Sequence, residues 1–170
     1  MTTQITLIAA VDQNNGIGKD GNLLFRSKED LRRFKEATIN NIVIMGRKTY
    51  QSIGAPLKDR TNIVLTTQDV AFPGVTTLYS KEAVLTVLRE QEKEPFKQEA
   101  FVIGGGEIYR QFLDVADRIL LTRFNASALA DTFFPNLGEE WVLTETSHFN
   151  ENPLLEMDFM TFIRKRDTLP

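Results

Sequence analysis

The chain has 170 residues, 42% of them hydrophobic and 25% charged, with a net charge of −3. That length accommodates one domain with a sizeable core, residues 1–170, and the mild acidity gives no reason to expect nucleic acid or another polyanion as a partner. There is no cysteine and His148 is the only histidine, which excludes disulfides and thiol chemistry and leaves no metal-ligand cluster. The first predicted strand, the apolar run from Ile5 to Val11, stops at Asp12, too short for a signal peptide or a membrane span. A soluble cytoplasmic protein is expected.

Residues 12–22 are rich in turn formers and predict a mobile loop. Gly16, Gly18 and Gly21 spell G-x-G-x-x-G, but no helix starts at the third glycine and no ribose-binding acid ends the next strand, so a Rossmann fingerprint is rejected. A helix is predicted from near Ser27, with Leu31, Phe34 and Ala37 as its buried stripe. Residues 41–45 read as a strand buried on both faces that passes through Gly46 into Arg47, Lys48 and Thr49 and a short helix ending at Ile53. Cations in a first turn oppose the helix dipole at a cost of a few tenths to ~1 kcal/mol, so Arg47 and Lys48 point to an anion between them and the helix end. The stretch through Gly46, Arg47, Lys48 and Thr49 lacks the two glycines of a P-loop at their required spacing, which excludes Walker A.

Residues 62–65 predict a third strand, followed by Thr66 and Thr67, whose hydroxyls suit a phosphate or a turn. A short strand ends at Leu78, and Ser80 caps a packing helix with Ala83, Val84, Val87 and Leu88 on one face. The charged run 89–99, broken by Pro95, is a solvated connection. Phe101, Val102 and Ile103 then form a strand that meets Gly104, Gly105 and Gly106 and resumes at helical spacing with Ile108, Tyr109 and Phe112. This strand, turn and helix suit a bound phosphate or a bare close crossing alike. Residues 118–124 are strand-like, 131–135 form a short extended piece, and 141–148 with 155–164 make an antiparallel hairpin. The expected fold is α/β: a single domain with an open, mostly parallel central sheet flanked by helices and a C-terminal antiparallel hairpin.

In such sheets ligands lie beyond the carboxyl ends of the strands. Those ends carry loop 12–22, Arg47 with Lys48 and Thr49, Thr66 with Thr67, and the three glycines, a rim suited to a dinucleotide. For proton chemistry Asp30 stands out, one turn into the first helix beside Leu31 and Phe34. Burial raises a carboxyl pKa and hydrogen bonds to its ionised form lower it, so its state depends on what binds. Ser27-x-x-Asp30 is also a capping box, with Asp30 returning a bond to the Ser27 N–H, and spacing alone favours that role.

Eight stretches occur together in the order of a known family: Ile-Thr-Leu-Ile-Ala-Ala at 5–10, Gly-Ile-Gly at 16–18, Glu-Asp-Leu-Arg-Arg-Phe-Lys at 29–35, Ile-Val-Ile-Met-Gly-Arg-Lys-Thr-Tyr at 42–50, Ser-Ile-Gly-Ala-Pro-Leu at 52–57, Arg-Thr-Asn-Ile-Val-Leu-Thr at 60–66, Val-Ile-Gly-Gly-Gly-Glu-Ile-Tyr at 102–109 and Asp-Thr-Phe-Phe-Pro at 131–135. With them the chain resembles the bacterial-type dihydrofolate reductases along nearly its full length. The resemblance implies an oxidoreductase and antifolate target that transfers a hydride from NADPH to C6 of 7,8-dihydrofolate, with a proton delivered to N5. The product would be 5,6,7,8-tetrahydrofolate for one-carbon metabolism.

By resemblance, Asp30 would bind the pterin amino group and promote N5 protonation, Thr122 would support it, and Phe25 would form an aromatic wall beside the pterin. Ile8, Ala10, Phe34, Ile53, Leu57 and Ile103 would surround the pterin and benzoyl groups. Arg60 would hold the glutamate α-carboxylate by a bidentate fork, with Lys35 near that tail. Gly46, Arg47, Lys48, Thr49, Leu65, Thr66 and Thr67 resemble dinucleotide contacts, Arg47 and Thr67 being the choices for the 2′-phosphate. Gly104, Gly105, Gly106, Glu107, Ile108 and Tyr109 would take the pyrophosphate and nicotinamide side, and Ala10, Ile17 and Gly18 would meet the nicotinamide ring. Loop 12–25 would be the gate that closes over both ligands. No metal, nucleic-acid or membrane partner is implied, and a monomer is the default.

The departures cluster in that gate. Leu24-Phe25 stand where the family usually shows Pro-Trp, and Arg26-Ser27 where apolar or prolyl residues are common. Phe25 lacks an N–H donor, and losing the proline loosens the loop. Ala130 stands where glycine often precedes the matching Asp131, which calls the usual loop-to-loop contact into question. Retained chemistry with altered gating and antifolate binding is expected. Two alternatives share the sheet and rim: a related NADPH-dependent pyrimidine reductase, against which Asp30 with Arg60 argues, and a dinucleotide-binding module without catalysis.

Overall fold

The computed structural model describes residues 2–166, so Met1 and residues 167–170 of the expected domain lie outside the described residues. In chain order the elements are β1 (Ile5–Val11), β2 (Gly16–Lys19), β3 (Asn22–Leu23), α1 (Lys28–Thr38), β4 (Ile42–Gly46), α2 (Arg47–Ile53), β5 (Thr61–Leu65), β6 (Thr76–Leu78), α3 (Lys81–Gln91), β7 (Ala100–Gly104), α4 (Gly106–Phe112), β8 (Arg118–Phe124), β9 (Thr132–Phe133), β10 (Trp141–Asn152) and β11 (Leu155–Arg164). Eight of these strands form one sheet in the order β10-β11-β8-β1-β7-β4-β5-β6. Neighbours from β8 to β6 are parallel, whereas β11 runs antiparallel to β8 and β10 antiparallel to β11. This is the expected mostly parallel sheet with an antiparallel hairpin at one edge.

The period of two along each strand divides the core between the faces. Leu7, Ile42, Ile44, Ile63 and Val102 pack with Val84 and Leu88 of α3 and Phe112 of α4. Their neighbours in sequence, Val43, Met45, Val64 and Phe101, pack on the other side with Tyr50 of α2 and Ala37 of α1. Each fully buried Val, Leu or Ile contributes ~1.5–3 kcal/mol, which is why the central strands read as unbroken apolar runs.

Two expectations change. Loop 12–22 holds β2 and the start of β3, and these strands join β9 in a separate antiparallel sheet of order β3-β2-β9. The stripe on α1 is not closed core: Leu31 is 57% exposed, Phe34 and Ala37 are half-buried, and only Thr38 is fully buried. The physical reason is that the apolar face of α1 borders an open cleft, so its hydrophobic spacing marks a ligand wall as much as a packing seam.

Candidate active site

Chain order along the sheet creates the site. The chain steps from β1 to β4, β5 and β6, then returns to insert β7 between β1 and β4. Open α/β sheets bind ligands at such a reversal, beyond the carboxyl ends of the strands. Here the ends of β1, β4, β5, β7 and β8, together with α1, line a cleft of about 1610 Å³. A single small-ligand site usually occupies roughly 300–1,000 Å³, so this cleft suits two ligands side by side.

One half of the cleft favours anions. Helices α2 and α4 begin at Gly46 and Gly105, and no side chain caps either start. Their first-turn N–H groups and dipoles therefore attract negative charge. The first turn of α2 holds no acid, Arg47 donates from Nη1 to Gln51 Oε1 at 2.9 Å, and among the described residues neither Arg47 nor Lys48 has an ion-pair partner. Thr66 is buried and its Oγ1 accepts from the Gln68 N–H at 3.1 Å, forming the turn, while Thr67 is exposed on the cleft wall. The glycines between β7 and α4 combine both of their open readings. Gly104 has φ +121, where a side chain is strained, and all three line the cleft. A Cβ on Gly106 would lie 2.9 Å from Thr132 Cγ2 and 3.2 Å from the Phe133 carbonyl, so β9 also crosses close there.

The other half carries the acid. Thr122 on β8 stands in register between Ala10 on β1 and Phe159 on β11. Its Oγ1 donates to Asp30 Oδ1 at 2.6 Å. Burial pushes the Asp30 carboxyl up, opposed by the Thr122 hydrogen bond and the Arg33 cation and assisted by the Glu151 charge, and the net direction is upward. Tyr109 donates its hydroxyl to the Ile8 carbonyl at 2.7 Å. Burial, and then the Asp30 charge, push its pKa up, so it remains a neutral phenol.

The capping box forms only in part. Ser27 Oγ accepts the Asp30 N–H at 2.9 Å, but the Asp30 carboxylate turns to Thr122 instead of back to Ser27. The carboxylate at this helix start belongs to Glu151, which accepts from Ser27 Oγ and the Glu29 N–H, each at 2.9 Å.

All the candidates named from the sequence line the cleft except Phe25, Lys35 and Arg60. Phe25 packs on Phe124 with ring centroids 4.8 Å apart, because a ring without an N–H gains most from that apolar contact. Arg60 donates from Nε to Thr38 Oγ1 at 3.2 Å and from Nη1 to the Lys58 carbonyl at 3.0 Å, with its guanidinium carbon 6.0 Å from the Phe34 ring centre. It thus stands behind the apolar wall, and Lys35 is exposed. Three residues escaped the sequence reading. Arg33 lines the cleft with its guanidinium carbon 3.5 Å from the Phe159 ring centre, and Tyr79 lines it while donating its hydroxyl to the Val70 carbonyl at 2.9 Å. Arg33 lies three positions after Asp30, a spacing that could have flagged it, but Glu151 had no local signal.

The gate is tied down in spite of Ala130. The Asp131 N–H donates to the Gly18 carbonyl and Asp131 Oδ2 accepts the Asp20 N–H, both at 2.9 Å. Asp12, 1% exposed, accepts from the amides of Asn14 and Gly16 at 2.8 Å and of Ala128 at 3.1 Å. The extra methyl at Ala130 fits because its neighbour is glycine: a Cβ on Gly16 would lie 2.7 Å from Ala130 Cβ.

The dihydrofolate reductase family model matches residues 4–164. The chain is 39% identical over 163 residues to the dihydrofolate reductase of Haemophilus influenzae, covering 94% of this chain and 98% of that protein. It is 36% identical over 168 residues to the dihydrofolate reductase of Bacillus subtilis, covering 96% of each. Among solved structures, a dihydrofolate reductase from Enterococcus faecalis complexed with NADP(H) and RAB-propyl superimposes with a TM-score of 0.87 at 28% identity, covering 96% of this chain and 97% of that one.

Proposed function

The chain belongs to the dihydrofolate reductase family, and we propose from that membership and the cleft geometry that it reduces 7,8-dihydrofolate to 5,6,7,8-tetrahydrofolate with NADPH. The observation that carries the assignment of the acid is the half-buried Asp30, held by the Thr122 hydroxyl at 2.6 Å on the apolar side of the cleft. Its carboxylate offers two acceptors to the amidine-like edge of a pterin, and a charge-assisted pair of bonds there would orient the ring. Its raised proton affinity suits a group that promotes protonation at N5. Ile8, Phe34, Ile53, Leu57 and Ile103 would surround the pterin and benzoyl groups and exclude water. Arg60 would reach the glutamate tail only by exchanging its present bond to Thr38 for one to the carboxylate.

The residues on the anion side fit a dinucleotide, on the evidence of two uncapped helix starts, hydroxyls at Thr49 and Thr67, and Arg47 with no acidic partner among the described residues. When bound, NADPH supplies the hydride that C6 of the pterin accepts. Arg47 and Thr67 would hold the 2′-phosphate, Gly104 to Gly106 the pyrophosphate, and Ala10, Ile17 and Gly18 the nicotinamide side. Since NADPH and folates are metabolites of the cell interior, the reading is of a cytoplasmic enzyme acting as a monomer. Among the described residues no helix is long and apolar enough to cross a membrane.

The test is loss of NADPH absorbance when dihydrofolate is added to the purified protein, run beside NADH and repeated with Asp30→Asn. Turnover that prefers NADPH and falls by about a hundredfold or more at neutral pH in the variant is the expected result. NADPH binding without turnover of dihydrofolate would overturn the reading in favour of the pyrimidine reductase or the binding module.

A further inference from the structure

Strands β10 and β11 fall out of register between Asn150 and Asn152, leaving Glu151 as an extra residue near the end of the hairpin. A bulge of this kind bends a strand and re-aims a side chain. Here the side chain reaches the start of α1, where Glu151 Oε1 accepts from Ser27 Oγ and the Glu29 N–H, each at 2.9 Å. Ser27 is only 3% exposed and its Oγ accepts the Asp30 N–H at 2.9 Å, while Asp30 Oδ1 takes the Thr122 hydroxyl at 2.6 Å. One hydrogen-bonded chain therefore runs from β10 through the first turn of α1 to β8. Nothing on α1 duplicates the contact, because the Glu29 carboxylate is engaged by Arg32 and Arg33.

We propose that Glu151 is a positioning residue for the acid: through Ser27 and the Glu29 amide it fixes the first turn of α1 and so aims Asp30 at Thr122 and the cleft. The proposal rests on the reading of Asp30 as the acid of the reaction. A carboxylate at a helix start is stabilised by the dipole, which keeps Glu151 ionised even with a second acid nearby, and the amide and Ser27 bonds hold its pKa down. Asp30 then faces a set of opposed groups. Arg33 on α1 and the Thr122 hydroxyl on β8 favour its ionised form, Glu151 on β10 favours its protonated form, and Tyr109 on α4 is a neutral phenol.

The test reads Asp30 directly. In ligand-free protein carrying 13C-labelled aspartate carboxyls, the Asp30 resonance is assigned by its loss in Asp30→Asn and titrated in the wild type, Glu151→Gln and Glu151→Ala. The kcat and KM for dihydrofolate are followed over the same pH range. Glu151→Gln keeps an oxygen for Ser27 and Glu29 but removes the charge, so the Asp30 titration and the pH profile of kcat/KM are expected to move together to lower pH. Glu151→Ala also frees the helix start, and kcat is expected to fall by about tenfold with little change in KM. If both variants titrate and turn over as the wild type does while only the melting temperature drops, Glu151 is a cap and the proposal fails. Should the alanine variant not fold, Ser27→Ala breaks the same chain between Glu151 and Asp30, and an unchanged kcat and Asp30 titration in that variant would overturn the proposal. Retained turnover in Asp30→Asn would instead sink the reading of the acid, and the titration shift in ligand-free protein would still report whether Glu151 controls Asp30.

Discussion

A carboxylate beside an apolar wall is harder to ionise than one in water, and Asp30 stands in such a position. Its folded-state pKa is raised chiefly by burial, so folding favours the protonated form, and stability is lost as pH rises from the ordinary carboxylate value through the folded one. Asp30→Asn keeps an oxygen for the Thr122 hydroxyl and removes the charge. Thermal melts at neutral pH should therefore show the variant more stable than the wild type, with the difference vanishing in acid, while turnover is lost. A variant less stable at every pH would mean that the carboxylate has a structural role. Arg47 poses a question of specificity. Arg47→Gln should weaken NADPH binding by roughly 1.5–3 kcal/mol, about ten- to a hundredfold, and leave NADH nearly unaffected, which titration calorimetry would resolve.

At the scale of elements, the small sheet β3-β2-β9 makes the expected gate a structured flap. Asp12 anchors it to the loop at Ala128. Burial pushes the Asp12 carboxyl up, but amide bonds from Ala128, Gly16 and Asn14 outweigh this and hold it below the usual carboxylate value. Because the folded pKa is depressed, the contribution of Asp12 is complete above the ordinary value of 3.8 and is lost as pH falls through the folded one. Urea melts from neutral to acid pH should accordingly show a loss of stability that Asp12→Asn makes smaller but does not remove, because the Glu151 and Asp131 carboxyls are held down as well. The Gly16 and Ala130 pair gives a sharper test. Gly16→Ala brings two methyl carbons to 2.7 Å and should destabilise by about 1–3 kcal/mol, and adding Ala130→Gly should restore most of it. Independent, additive effects in that double-mutant cycle would mean that the two loops are not in contact in solution. This contact could not be judged from the sequence, where Ala130 stands out as a departure but its compensating neighbour lies 114 positions earlier.

At the scale of the whole molecule, one cleft gathers residues from both directions of chain progression along the sheet. A ligand seated there is held by elements distant in sequence and stabilises them together. NADPH at about a hundredfold its Kd should raise the free energy of unfolding by ~2.7 kcal/mol, read as a concentration-dependent melting temperature. Asp30→Asn should show the same rise, since its acid lies on the other half of the cleft. A loss of the rise in that variant would show that the two halves do not bind independently.

The sequence by itself determined the fold class, the buried central strands and the turns that follow them. Runs such as Ile42 to Met45 must be buried on both faces, and Gly46 and Gly104 to Gly106 must end strands where backbone or ligand comes close. These are properties of spacing and residue type within a few positions, so they can be read locally. Tertiary structure decided the rest. That the Asp30 carboxylate turns to Thr122 rather than back to Ser27 depended on a residue 92 positions away, and the helix start it leaves is taken by Glu151, 121 positions away, which arrives only when the hairpin bulge folds against α1. Phe25 does not line the cleft but packs on Phe124, 99 positions away in the sequence. A side chain's pKa and direction follow from whichever groups the fold brings within a few ångströms, and chain separation carries no record of that distance.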